Sequence, residues 1–212
     1  MATPRINRHD MYIFLLVLTI CNTAGLQVWQ TLFDNFAVNV VHLEGQHIGI
    51  IQSVREIPGL LSLLVVYLLL IIKEHRLSAL AVLLLGVGVS ITGLLPSFSG
   101  IILTTLAMSF GFHYFETTNQ SLTLQYFDKM TAPLIFGRLR SFTAATNVVT
   151  GLVILALAPF LQYRHLYLLF GVLIIGAAGW AMTRDPVDHT LVPQRRSMVL
   201  RGRYWLYYCL TF

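Results

Sequence analysis

The chain has 212 residues, of which 56% are hydrophobic and only 11% are charged, and its mean hydropathy is +0.73. Soluble domains carry about 25% charged residues, so this composition excludes an ordinary soluble enzyme or binding domain and indicates a membrane protein. In a soluble chain the net charge of +5 would suggest nucleic acid as a partner. Here the basic residues lie in short connections between apolar stretches, so membrane topology explains them and no nucleic-acid partner is expected.

Six apolar stretches are each long enough to cross a bilayer, which takes roughly 20 mostly apolar residues. The sequence therefore predicts an all-α membrane protein with a transmembrane bundle over residues 11–183. The predicted spans 1 to 6 cover about 11–40, 48–72, 77–95, 101–127, 140–161 and 166–183. The remaining segments are a tail (1–10), a basic linker (184–203) and the start of a truncated seventh span (204–212).

The lysine and arginine residues predict how the spans are oriented. Only Arg164 falls on one side of the predicted membrane, and Arg55 lies within span 2. The other side carries twelve: Arg5, Arg8, Lys73, Arg76, Lys129, Arg138, Arg140, Arg184, Arg195, Arg196, Arg201 and Arg203. Because an excess of Lys and Arg marks the cytoplasmic side, we expect a multi-pass protein of the cell (plasma or inner) membrane with a cytoplasmic N-terminus.

The connections between the spans indicate an internal repeat. Longer polar connections join spans 1–2 and 4–5, whereas tight turns join spans 2–3 and 5–6, as an inverted 3+3 repeat requires. Spans 3 and 6 contain no charged residue, so we expect them to face lipid at the periphery. Several glycines are expected to allow close helix packing: Gly86, Gly88, Gly93, Gly171, Gly176 and Gly179.

Arg55 and Glu56 are adjacent charges inside span 2. A charge at the centre of a spanning helix costs about 2.5–3.5 kcal/mol on insertion scales, so protein or water must surround these two. Adjacent helical side chains point about 100° apart, so at least one charge is expected to find a partner on another helix. Depth along the spans favours Asp34 as the partner of Arg55, with Glu116 as a second candidate. This charge group could be an outer gate, an anchor for a substrate carboxylate or a static pair that fixes packing.

Pro58 and Gly59 follow this charge pair in span 2. A proline inside a helix removes a backbone hydrogen bond, so the two residues are expected to form a hinge or an ordinary helix bend.

Span 4 carries a polar face on which His113, Glu116 and Gln120 share helical spacing, with Asn119 beside them. Burial favours the protonated form of a carboxyl group, so Glu116 could take up and release a proton, and His113 could relay it. The alternative is a purely structural hydrogen-bond or ion-pair role. The predicted substrate and proton pathway comprises Asp34, Arg55, Glu56, His113, Glu116, Asn119 and Gln120.

No metal, cofactor or catalytic site is expected. Cys21 and Cys209 are the only cysteines and form no CxxC or Cys/His cluster. His113 and Glu116 supply at most two metal ligands. The sequence also has no phosphate loop, nucleophile elbow or HExxH motif.

The chain resembles the N-terminal half of a major facilitator superfamily transporter over residues 1–203, through its six spans, 3+3 repeat, cytoplasmic ends and basic linker. Lys73-Glu74-His75-Arg76 stands where that family has a charged motif between helices 2 and 3, with Glu74 in place of its aspartate and without its glycines. Gly137-Arg138-Leu139-Arg140 resembles the family's entry to helix 5. The resemblance implies that helices 1 and 4 line a cavity, helices 2 and 5 contact the other half, and helices 3 and 6 are peripheral.

The resemblance leads us to expect a secondary-active transporter, a symporter or antiporter, that moves a small polar or charged solute by alternating access. Proton coupling through Glu116 is a further hypothesis. The expected partners are the solute, the lipid bilayer and either a C-terminal half in cis or a second copy of the chain. Two alternatives remain: a non-transporting structural or receptor-like membrane protein, and a membrane-embedded enzyme that uses His113 and Glu116 as acid and base.

Overall fold

The computed structural model describes residues 8–187, together with residues 202 and 205. This part of the chain is all-helical and contains no strand. Most of the predicted basic linker and of the predicted seventh span lies outside the described residues, as does the start of the N-terminal tail.

Within the described residues, six helices are long and apolar enough to cross a membrane, which confirms that part of the prediction and supports a multi-pass membrane protein. Helix α2 is irregular, because Gly45–Leu60 is followed by a 3₁₀ turn, Leu61–Leu64, and a short helix, Val65–Leu69. The six helices are α1 (Arg8–Asn39), α2 (Gly45–Leu69), α3 (Glu74–Thr92), α4 (Phe98–Tyr126), α5 (Ala132–Leu157) and α6 (Tyr163–Met182).

Asp128 organises the connection between α4 and α5. Its carboxylate accepts hydrogen bonds from the backbone N–H groups of Met130, at 3.1 Å, and Thr131, at 2.8 Å. It also forms an ion pair at 3.2 Å with Arg8 in the first turn of α1. Hydrogen bonds from Thr131 are the main reason that the pKa of Asp128 lies below its usual value, with Met130 and Arg8 acting in the same direction. The carboxylate thereby holds the start of α1 against the α4–α5 connection.

Helix α3 lies at the centre of the bundle, where it packs against α4, α6 and α1. Of an apolar stretch of 18 residues in α3, 67% is buried inside the bundle, compared with 17% of the corresponding stretches in α2 and α5. The expectation that span 3 faces lipid is therefore wrong. An uncharged helix suits the core as well as the lipid, and the small residues of α3 let its neighbours approach closely.

Close approach is visible at several of the predicted packing glycines. A Cβ atom on Gly88 would lie 2.6 Å from the backbone nitrogen of Met108 in α4, and one on Gly86 would lie 2.9 Å from Ile174 in α6. Gly93 and Gly171 are equally crowded, by Arg164 and Ser90 respectively, so close packing is confirmed at these four glycines. The expectation of close packing is wrong for Gly176 and Gly179, where a Cβ atom would have no neighbouring atom within 4 Å.

Gly88→Ala should destabilise the bundle, because the new methyl group would push α3 away from the α4 backbone. Overpacking of this kind costs about 1–3 kcal/mol. We expect a lower unfolding temperature in detergent or nanodiscs, whereas Gly176→Ala, the matched control, should keep or slightly raise it. Equal unfolding temperatures for the two variants would contradict the close α3–α4 contact.

Candidate functional site

The two charges of α2 pair with each other. Nη2 of Arg55 lies 2.6 Å from Oε1 of Glu56, and the two side chains are 23% and 60% exposed. The expectation that adjacent charges face each other poorly is therefore wrong, because both side chains are long enough to bridge the angle between them. The expected Arg55–Asp34 pair is also wrong: the ion pairs among the described residues are Arg8–Asp128, Arg55–Glu56 and His75–Asp185, and Asp34 is exposed.

Arg55 does contact another helix, but its partner there is an aromatic ring. The guanidinium lies 5.5 Å from the centroid of the Trp29 ring in α1, within the range of a cation–π interaction. Trp29 is fully buried and stacks on Phe33 with the ring centroids 4.4 Å apart. Its indole nitrogen is buried and has no hydrogen-bond partner among the described residues.

Helix α4 holds the irregular part of α2 on both sides of Pro58. The hydroxyl of Ser109 donates a hydrogen bond to the backbone carbonyl of Arg55 at 2.5 Å. On the other side, the Tyr114 hydroxyl donates to the backbone carbonyl of Leu61 at 3.5 Å, a long contact. Because Pro58 has no N–H to donate back along the helix, these contacts from α4 support a locally weakened segment.

His113 lies against this segment of α2. A Cβ atom on Gly59 would come within 3.0 Å of Cε1 of His113, so a glycine lets the imidazole ring approach the α2 backbone. His113 is half-buried and interacts electrostatically with Glu56 and Arg55. The structure therefore brings Arg55, Glu56, Gly59 and His113 together at the α2–α4 contact.

Glu116 belongs to a second polar group, one helical turn further along α4. Its Oε1 atom accepts a hydrogen bond from Nδ2 of Asn22 in α1 at 3.3 Å, and it interacts electrostatically with Arg140 in α5. Asn22 is 1% exposed and Asn119 is 7% exposed, and the Oδ1 atom of each is buried without a hydrogen-bond partner in the described part of the chain. Glu116 thus lies where α1, α4 and α5 meet, whereas Gln120 is exposed.

A third polar group fastens the start of α3 to the end of α4. Nε2 of Gln125 donates to Oε2 of Glu74 at 2.6 Å, and the Ser78 hydroxyl donates to that of Thr118 at 2.7 Å. Glu74 is 5% exposed. In this fold Glu74 is part of the interface between α3 and α4.

Several residues of the candidate site have partners that the sequence did not indicate. Asn22 is a polar residue inside an apolar span, and that signal could have marked it as a partner for Glu116. Arg140 was assigned only to the cytoplasmic side by topology. Trp29 and Ser109 carry no sequence signal that distinguishes them from other residues of their helices.

Within the described residues, no group of three or more His, Cys, Asp and Glu side chains could hold a metal ion. Neither a comparison with protein-family models nor a search of curated proteins found a match to this chain. The feature of this chain that bears on its function is the arrangement of the polar groups in α1, α2, α4 and α5.

Ser109→Ala should loosen α2 next to Pro58, because it removes the hydrogen bond that the Ser109 hydroxyl of α4 donates to the Arg55 carbonyl. We expect the backbone amides of residues 55–64 to exchange hydrogen about 2- to 10-fold faster, the equivalent of about 0.5–1.5 kcal/mol for one hydrogen bond. Thr117→Ala is a suitable control, since the Thr117 hydroxyl bonds only within α4. Equal exchange in the two variants would show that α4 does not support this segment.

Proposed function

We propose that this chain is a six-helix bundle of a secondary-active transporter of the major facilitator type, which moves a small polar or charged solute by alternating access. One observation carries the proposal: polar side chains inside the candidate spans remain exposed on the surface of the bundle. Glu56 is 60% exposed, and Asp34 and Gln120 are exposed as well. A charge that faces hydrocarbon at the centre of a span costs about 2.5–3.5 kcal/mol, so the exposure of Glu56 favours water or a second helical bundle over lipid at its position.

Two pairs of helix contacts agree with the proposed inverted 3+3 repeat, although the α1–α3 contact has no α4–α6 counterpart of similar extent. In such a repeat, α1 corresponds to α4, α2 to α5 and α3 to α6. The α1–α5 contact then corresponds to the α2–α4 contact, and both contacts occur. In the same way the α3–α4 contact corresponds to the α1–α6 contact, and again both occur. Helices α2 and α5 are also the two least buried, as expected of the helices that would contact a second half.

In this proposal the solute binds at the α2–α4 contact, where it would contact Arg55, Glu56 and His113. The Pro58–Gly59 segment and the 3₁₀ turn behind it would absorb the bending of α2 as the bundle rocks, because a 3₁₀ stretch inside a helix often marks a hinge. The proposal puts the N-terminus of the chain in the cytoplasm, an orientation that the excess of Lys and Arg on that side of the predicted membrane supports.

Glu116 would couple the movement to protons. Its carboxylate is held by Asn22 in α1 and attracted by Arg140 in α5. Protonation removes the negative charge and with it the attraction to Arg140, so a proton on Glu116 would loosen α4 from α5. An intramembrane carboxyl group that contacts two other helices suits this role.

Glu116→Gln should abolish the pH dependence of uptake while leaving the bundle folded, because glutamine keeps the hydrogen bond to Asn22 and cannot be charged. The measurement uses proteoliposomes that contain a pH-sensitive dye and receive a panel of amino acids, sugars and small organic acids. Glu44→Gln, in the exposed α1–α2 connection, is the matched control and should behave as the natural chain. Full pH-dependent uptake by Glu116→Gln would reject proton coupling through this residue.

A further inference from the structure

We infer that Arg55 and Trp29 form an anchor for a carboxylate group, so that the solute handled at the α2–α4 contact is a small monocarboxylate. The inference rests on the proposed transport function for its biological meaning, but the binding site itself can be tested without transport.

Arg55 is held in place without Glu56. Its guanidinium lies over the Trp29 ring, and its backbone carbonyl accepts the hydrogen bond from Ser109. A guanidinium presents several N–H donors in a rigid fork that matches a carboxylate. In the described part of the chain, Glu56 is the only side chain that accepts a hydrogen bond from it. Arg55 therefore keeps donors for a further anion, and its side chain is 23% exposed and within reach of one.

The indole N–H of Trp29, next to Arg55, is a second hydrogen-bond donor without an acceptor among the described residues. The side chain of Trp29 is fully buried. Buried donors are almost always satisfied, so an unsatisfied one needs an explanation. A carboxylate is acceptor-only, so one that entered beside the Arg55 guanidinium and displaced the packing at the edge of the Trp29 ring would accept hydrogen bonds from both residues.

Glu56 is placed to give way to such a ligand. It neighbours Arg55 in the sequence and its side chain is 60% exposed, so it can turn outward without breaking a hydrogen bond to another helix. Among the described residues, His113 also interacts electrostatically with this pair. A single guanidinium balances one negative charge, which favours a monocarboxylate over a doubly charged phosphate.

The test measures binding to the purified full-length chain in lipid nanodiscs. The probes are acetate, lactate and benzoate, each compared with its neutral amide and with inorganic phosphate. The readout is a saturable rise in unfolding temperature, since a ligand that binds only the folded state stabilises it. At least one carboxylate should give this rise, whereas its amide and phosphate should not.

Four variants define the anchor. Arg55→Lys keeps the charge but loses the fork, and should raise the apparent Kd about 10-fold. Trp29→Phe keeps an aromatic ring but removes the N–H, and should raise it about 3- to 10-fold. Glu56→Gln removes the competing carboxylate and should lower the Kd. Arg76→Gln, at an exposed arginine in α3, is the control and should leave the Kd unchanged.

Three results would overturn the inference: no carboxylate gives a saturable shift, the amides bind equally well, or Glu56→Gln weakens binding as Arg55→Lys does. The unfolding temperature of each variant without probe reports its folding, and if Arg55→Lys does not fold, Trp29→Phe and Glu56→Gln still decide the matter. Carboxylate binding without any solute flux would reject the proposed transport and leave the anchor standing. Flux of another solute without carboxylate binding would reject the anchor alone.

Discussion

The cost of placing charge inside a bilayer is the constraint on which the rest of this structure depends. Helix α2 carries Arg55 and Glu56 in the middle of a candidate span, and neither can face hydrocarbon cheaply. Two residues of other helices, Trp29 of α1 and His113 of α4, lie next to the pair and partly shield it from the surroundings. The shelter is incomplete, since Glu56 stays 60% exposed, and this remaining exposure is the reason to expect water or further protein next to α2.

Close packing around α3 provides the scaffold for this arrangement. Gly86 and Gly88 let α6 and α4 approach the two sides of α3, and Gly111 of α4 would meet the backbone nitrogen of Leu85 at 2.5 Å if it carried a Cβ atom. Helices α2 and α5 lie outside this scaffold and are the least buried of the six. The polar groups around Arg55 and Glu116 therefore lie between a densely packed centre and the two least buried helices, whereas the group around Glu74 lies within that centre.

The sequence predicted the features that depend on length and composition, and it failed where side-chain reach decides. Six helices long and apolar enough to cross a membrane follow from apolar stretches of sufficient length. The hinge at Pro58 and Gly59 stays a prediction, and the 3₁₀ turn at Leu61–Leu64 begins three residues beyond Pro58. The partner of Arg55 could not be predicted, because depth along the spans does not determine which neighbouring side chain a long, flexible arginine contacts. The central position of α3 was missed because an uncharged span suits lipid and core equally. The inverted repeat and the transport function stay proposals.

The accessibility of the exposed polar surface tests the central claim most directly. In a background in which Cys21 and Cys209 are replaced by serine, single cysteines at Glu56 and Gln120 would be compared with one at Leu173, an exposed apolar residue of α6. The measurement is the rate of reaction with a charged, membrane-impermeant thiol reagent in native membranes. If the surface lines a water-filled cavity, the cysteines at 56 and 120 should react at least about 10-fold faster than that at 173, since the reagent needs water and a thiolate. Rates as slow as that at 173 would show that this surface is closed to water and would contradict the cavity.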